Sequence, residues 1–293
     1  MSGVLWATAS GIGFGLFQSL NRRAIRGIED PWVSTFLQLS AATVVLVLAS
    51  LVSEDLSQLG DATGEAIALF AVAGVIHFVL GWLFLNMSQM RIGASRTAPL
   101  ITLTPLFGVV LAAVTLGELP SAAVLAAIAP IMVGAWLLAS RGSGDVRIER
   151  DSIFAFGTAF MWALSAVLTV EALRGLDSPL LGVTLGLLAA TAALGGALVA
   201  RGSLRAIRSI ARGTLGLKLF AALLVAFATW FRLLALDETA VAVVLATNLV
   251  GVPITLVLAP IMVGRHLENA NARVWLGGAL VVGGVLALIA IEG

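Results

Sequence analysis

Ten stretches of this chain stay apolar for about twenty residues at a time, and that length leaves few folds open. A helix rises about 1.5 Å per residue, so roughly 20 apolar residues cross the ~30 Å hydrocarbon core of a bilayer. The stretches are 3–20, 33–52, 66–86, 94–116, 121–140, 152–171, 179–200, 216–236, 240–263 and 273–291. With 60% hydrophobic residues, 11% charged residues and a mean hydropathy of +1.07, the sequence has too little polar surface for a soluble domain. The runs lack the alternation of a membrane β-barrel. The expected fold is an all-α polytopic membrane protein with ten transmembrane helices. The first run does not read as a cleavable signal: no cationic side chain precedes it, and Arg22, Arg23 and Arg26 follow it.

A second pattern lies over the first. Residues Ala73–Glu118 align without a gap on Ala221–His266, placing Trp82 on Trp230, Ala94 on Ala242, Ala98 on Ala246 and Pro105 on Pro253. Each pair is 148 residues apart (230 − 82; 253 − 105), and Arg26–Pro31 meets Arg174–Pro179 at the same offset. The chain therefore reads as one five-helix unit used twice: 1–141, a flexible charged linker at 142–151, and 152–293. Five spans is an odd number, so the second copy must insert upside down, as in many carriers. Charge supports this reading. Of 17 Lys and Arg, all but Arg174 and Arg232 fall in or beside odd-numbered loops, while the loop Ser53–Gly64 carries Glu54, Asp55 and Asp61. The positive loops exchange places between the copies, as inversion requires. Positive charge stays cytoplasmic, so both termini are expected outside.

The pattern resembles the drug/metabolite transporter superfamily, and within it the EamA family. The resemblance rests on Leu103-Thr104-Pro105-Leu106, Gly117-Glu118 and Val133-Gly134, with Val252-Pro253, Gly264-Arg265-His266 and Val282-Gly283 in the second copy. The copies differ where His266 stands against Glu118. The resemblance implies a ten-helix secondary carrier of small organic solutes, with two inverted repeats around a central cavity lined by spans 1, 3, 4, 6, 8 and 9. Members of that family often place the N-terminus in the cytoplasm; the charge count places it outside, and the count is followed here.

Polar residues inside the spans are the candidates for chemistry, because they are costly there. His77 lies in the third span, as a proton carrier, a substrate partner, or a neutral imidazole bonded to a neighbouring helix. Trp82 and Trp230 are the symmetric aromatic pair, either at the cavity or in the interfacial belt; Trp162 is a weaker aromatic candidate. Asn248, Gln18 and Gln38 are buried amides that line a cavity or bridge helices. Pro105 and Pro253 remove a helical N–H, freeing the carbonyls of Ile101 and Leu249 and kinking their spans. Arg232 is a candidate anion anchor, or a side chain snorkelling to the headgroups. Gly11/Gly15 and Gly182/Gly186 are GxxxG pairs that pack helices within one chain or between two. Glu118 is expected to be solvated or to cap a loop.

The absences also bound the function. No cysteine is present, which excludes thiolate chemistry and disulfides. Neither HExxH, Gly-x-Ser-x-Gly nor a phosphate loop occurs, and there is no basic tail for nucleic acid. An enzyme is not expected. No cofactor or metal is expected, beyond proton coupling. The partners are a small-molecule substrate and the bilayer of a bacterial-type plasma membrane, with the protein a monomer or homodimer. The leading expectation is an alternating-access exporter of amino acids or other small metabolites. The alternatives are a broad exporter of apolar compounds and, behind it, a lipid scramblase or flippase.

Overall fold

The computed structural model describes residues 2–28, 30–92, 97, 100–139, 150–255, 258 and 272–292. Residues 142–149 of the expected linker at 142–151, and Gly264, Arg265 and His266 of the second-copy motif, lie outside the described residues. Among the described residues every regular element is helical. The first half contains α1 (Gly3–Ile25), α2 (Pro31–Ser53), the short α3 (Gln58–Asp61), α4 (Gly64–Gly74), a π-helix (Val75–Gly81), α5 (Trp82–Arg91), α6 (Thr104–Thr115) and α7 (Ala122–Ala139). The second contains α8 (Ile153–Leu173), α9 (Pro179–Ala200), α10 (Arg212–Glu238), α11 (Val241–Thr247) and α12 (Ala272–Glu292). Five stretches are long and apolar enough to cross a membrane: Pro31–Ser53, Gly64–Arg91, Arg150–Leu173, Pro179–Ala200 and Arg212–Glu238. Thr104–Thr115, Ala122–Leu137, Val241–Thr255 and Trp275–Ile291 are shorter apolar helices.

Local chemistry sets the helix ends. Asp30 accepts the Trp32 N–H at 2.8 Å and Pro31 opens α2. Ser178 accepts the Leu181 N–H at 3.2 Å and Pro179 opens α9. Each is a polar N-cap followed by a proline whose missing N–H would be unpaired in any case. The prolines in the fourth and ninth spans do more than kink them. Pro105 stands at the start of α6, with turn residues at 102–103 before it, so the span is interrupted. The Ile101 carbonyl that Pro105 leaves without its helical N–H accepts the Thr104 hydroxyl at 2.7 Å. Before Pro253, α11 tightens into a 3-10 turn over Asn248–Val250. In both places the proline ring excludes the regular i−4 geometry and the backbone finds another arrangement.

Packing pairs recur under the 148-residue shift. Helix α1 lies along α10, and its shifted counterpart α8 lies along α4. Helix α2 packs on α10, and α9 packs on α4. The self-related pairs α2–α9 and α7–α12 are also in contact. Glycines allow the closest approaches. Gly74 and Gly186 meet backbone to backbone, with no room for a Cβ between them. Gly11 and Gly15 seat on the backbone of Asn248 and Gly251, while Gly182 receives the Phe70 ring. Both GxxxG pairs therefore pack helices within the chain.

Candidate functional site

Where α1, the π-helix, α6, α8, α10 and the Asn248–Val250 turn converge, they line a cavity of about 90 Å³. That is room for several waters or a small solute, since one water needs roughly 10–15 Å³ on the same measure. Three pairs of its wall residues are repeat equivalents: Phe14 with Trp162, Ile101 with Leu249, and Thr104 with Val252, each 148 apart (162 − 14; 249 − 101; 252 − 104). Apart from Thr104, its polar residues have no such match within the wall. Gln18, His77, Arg232 and Asn248 line it, and their shifted positions hold Ala166, Val225, Phe84 and Leu100. A symmetric frame thus carries an asymmetric set of polar groups.

The centre of that set is Arg232, which is 3% exposed. It does not snorkel: α10 continues to Glu238, and Arg232 falls on the inward face with Ala221, Ala222, Val225, Ala228 and Thr229. Its Nη2 donates to the Trp162 carbonyl at 3.0 Å, and its Nη1 donates to His77 Nδ1 at 3.3 Å. The Ser165 Oγ lies 2.9 Å from the same Trp162 carbonyl and 2.8 Å from His77 Nδ1, and its single proton can serve only one of them at a time. A guanidinium can only donate. To accept from it, Nδ1 must be unprotonated, which leaves the ring proton on Nε2. His77 Nε2, Trp162 Nε1 and the Asn248 Oδ1 are all buried without a hydrogen-bond partner. Among the described residues no carboxylate pairs with Arg232; Asp151 and Glu171 bind the peripheral Arg91 and Arg174. A charge in the middle of a membrane helix costs about 2.5–3.5 kcal/mol on insertion scales. Such a group is retained where it does something.

The π-helix shapes this site. It places His77 between the main cavity and a small chamber lined in part by Gly74, Ser165, Thr169, Gly186 and Arg232. The Trp162 indole stacks on His77 with centroids 5.8 Å apart and lies against Gly81, where a methyl would come within 2.6 Å of Nε1. Wide helical turns of this kind are rare and often mark functional positions.

The other candidates lie elsewhere. Trp82, 1% exposed, is packed in the core against Phe17 and Phe78, with ring centroids at 6.1 and 5.1 Å. Trp230 stacks on Phe231 at 5.9 Å. Neither lines the cavity. Gln38 bridges helices: its Oε1 accepts from Lys218 Nζ at 2.9 Å, and Lys218 also donates to Asn21 Oδ1. Lys218 is wholly buried. The sequence signalled it only as a charge at a span edge. Glu118 caps a helix, its Oε2 accepting the Val241 N–H at 3.3 Å. Among the described residues no cluster of ligating side chains could hold a metal ion.

Fold and site define a multi-pass helical membrane protein with a polar-edged cavity among its helices. Residues 1–140 match the EamA-like transporter family. Two curated plant relatives align over 118 residues. They are the chloroplastic phosphoenolpyruvate/phosphate translocator 1 of Arabidopsis thaliana, 32% identical over 40% of this chain and 28% of its own length, and the triose phosphate/phosphate translocator of non-green plastids of Brassica oleracea var. botrytis, 31% identical over 40% and 29%. The matched stretch thus spans less than a third of those relatives. A crystal structure of another protein superposes over 98% of this chain and 97% of its own with a TM-score of 0.69 at 18% identity, a likeness of fold.

Proposed function

We propose that the protein is a secondary carrier of small organic solutes working by alternating access, with the Arg232 cavity as its substrate site. The observation that carries this reading is the cavity itself: a buried chamber between the halves, walled by repeat-equivalent residues and edged by polar atoms that lack protein partners. In this reading ten spans form two inverted five-helix repeats, 1–141 and 152–293, which rock about the cavity. The recurrence of helix pairs under the 148-residue shift supports that arrangement. The plant relatives are named as translocators of phosphoenolpyruvate, triose phosphate and phosphate. A solute bearing a negative group suits a cavity whose charged wall residue is Arg232.

His77 is the proposed proton-coupling group, because it is a titratable side chain that touches both Arg232 and the cavity. Export is the proposed direction. The proposed location is a bacterial-type plasma membrane with both termini outside, which the Lys and Arg distribution supports. The test is flux from liposomes containing the purified protein and loaded with amino acids and small metabolites, with and without a pH gradient, followed by mass spectrometry. Selective release that follows the gradient is expected. Release that ignores the gradient would remove proton coupling, and release of no solute would remove the carrier.

A further inference from the structure

Among the described residues the cavity lining carries one formal charge, and the remaining walls are largely apolar. Arg232 supplies the charge; Phe14, Ile101, Leu245, Leu249 and Val252 supply apolar surface. His77 adds no second charge in this arrangement, because its Nδ1 accepts from the guanidinium. Gln18, Asn248, Thr102 and Thr104 are polar but neutral. We infer that the substrate is a small monocarboxylate with an apolar tail, its carboxylate held by Arg232 and its tail against the apolar wall. This inference rests on the carrier reading above and parts from the phosphorylated solutes named for the plant relatives.

The argument is one of matching charge and shape. A guanidinium has five N–H groups in a planar fork that fits a carboxylate edge-on. Two are engaged by the Trp162 carbonyl and His77, leaving others for a ligand. A carboxylate brings one negative charge and neutralises the buried cation. A phosphate ester brings about 1.5–2 charges at neutral pH, so in this chamber it would remain partly unpaired away from water, which is heavily penalised. A neutral solute would leave Arg232 unneutralised. The partnerless Trp162 N–H and His77 Nε2 are donors suited to the second face of the same carboxylate. A zwitterionic amino acid would need an anionic partner for its ammonium, and among the described residues no acidic side chain lines the cavity.

The experiment uses the full chain in liposomes with four labelled probes: isobutyrate and benzoate as monocarboxylates, isobutyramide as the neutral isostere, and phosphoenolpyruvate as the multiply charged anion. Wild-type protein is expected to move isobutyrate or benzoate at least tenfold faster than isobutyramide and phosphoenolpyruvate. Arg232→Gln is expected to abolish that preference, and Arg232→Lys to keep part of it. Should neither substituted protein fold, benzoate must still raise the Tm of the wild type where isobutyramide does not. Faster transport of phosphoenolpyruvate, or equal transport of the amide and the acid, would overturn the inference while leaving the carrier in place. Transport of none of the four, together with no release in the metabolite screen, would remove both.

Discussion

Thr43 Oγ1 lies 2.7 Å from Thr191 Oγ1, and the two residues are 148 apart in the chain, the same offset that relates the halves in sequence. In the proposed inverted-repeat arrangement, a residue that touches its own repeat equivalent sits where the two copies meet, here at the contact of α2 and α9. Thr43 also reaches the Leu187 carbonyl at 3.3 Å.

The first prediction concerns that pair. Interhelical hydroxyl bonds in membranes contribute about 0.6 kcal/mol on average and up to about 1.7. Thr43→Val and Thr191→Val should each lower stability within that range, measured by unfolding in detergent. The double variant should lose little more than one single, since either change breaks the same bond. Fully additive losses would mean that the hydroxyls are not coupled.

Lys218 offers a test of a different kind. Its ammonium is held by two amide oxygens, from Asn21 and Gln38, on helices α1 and α2. Replacing Lys218 with Met leaves both oxygens buried and unpaired, which should cost about 1–3 kcal/mol for each group. Adding Asn21→Leu and Gln38→Leu should recover most of that loss, because an apolar cluster of similar volume has nothing left to satisfy. The readout is Tm of the purified variants; a triple variant no more stable than Lys218→Met would refute the account.

Gly74 and Gly196 should respond oppositely to alanine. A Cβ at Gly74 runs into the Gly186 backbone, which cannot swing aside, whereas one at Gly196 meets nothing within 4 Å. Gly74→Ala should destabilise by about 1–3 kcal/mol through overpacking. Gly196→Ala should be neutral or gain up to about 1 kcal/mol from helix propensity. The yield of monodisperse protein in detergent, with its Tm, checks both.

His77→Gln keeps a hydrogen-bonding side chain beside Arg232 and removes the titration. If His77 couples the proton, flux in the variant should persist within about tenfold while its response to an imposed pH gradient disappears. A His77→Gln protein that retains the full response would place coupling elsewhere.

Much of the architecture was legible because hydrophobic run length and loop chemistry are local properties. The caps at Asp30 and Ser178 fall within the matched segments Arg26–Pro31 and Arg174–Pro179. The cavity was partly legible: Gln18, His77, Trp162, Asn248 and Arg232 were singled out as costly or large groups in apolar spans, and they line one chamber. Trp82 was harder to place. Its repeat match says that the position is shared, not which way it faces, and it faces the core. Arg232 looked like a headgroup contact because the apolar run stops just beyond it, while the helix itself continues to Glu238. The π-helix had no signal at all, since Val75–Gly81 is compatible with a regular helix and widens only in its packing context.

The pairing of a matched frame with unmatched polar groups has an evolutionary consequence. In a duplicated chain, residues at the seam are constrained by two partners at once and change slowly. In the proposed carrier, the wall residues His77 and Arg232 face the cargo in one copy only, while their shifted positions, Val225 and Phe84, lie outside the wall, so the two copies can drift apart there. A lineage built on this plan could acquire a new cargo through a few substitutions in a single half, with no change to the machinery that moves it.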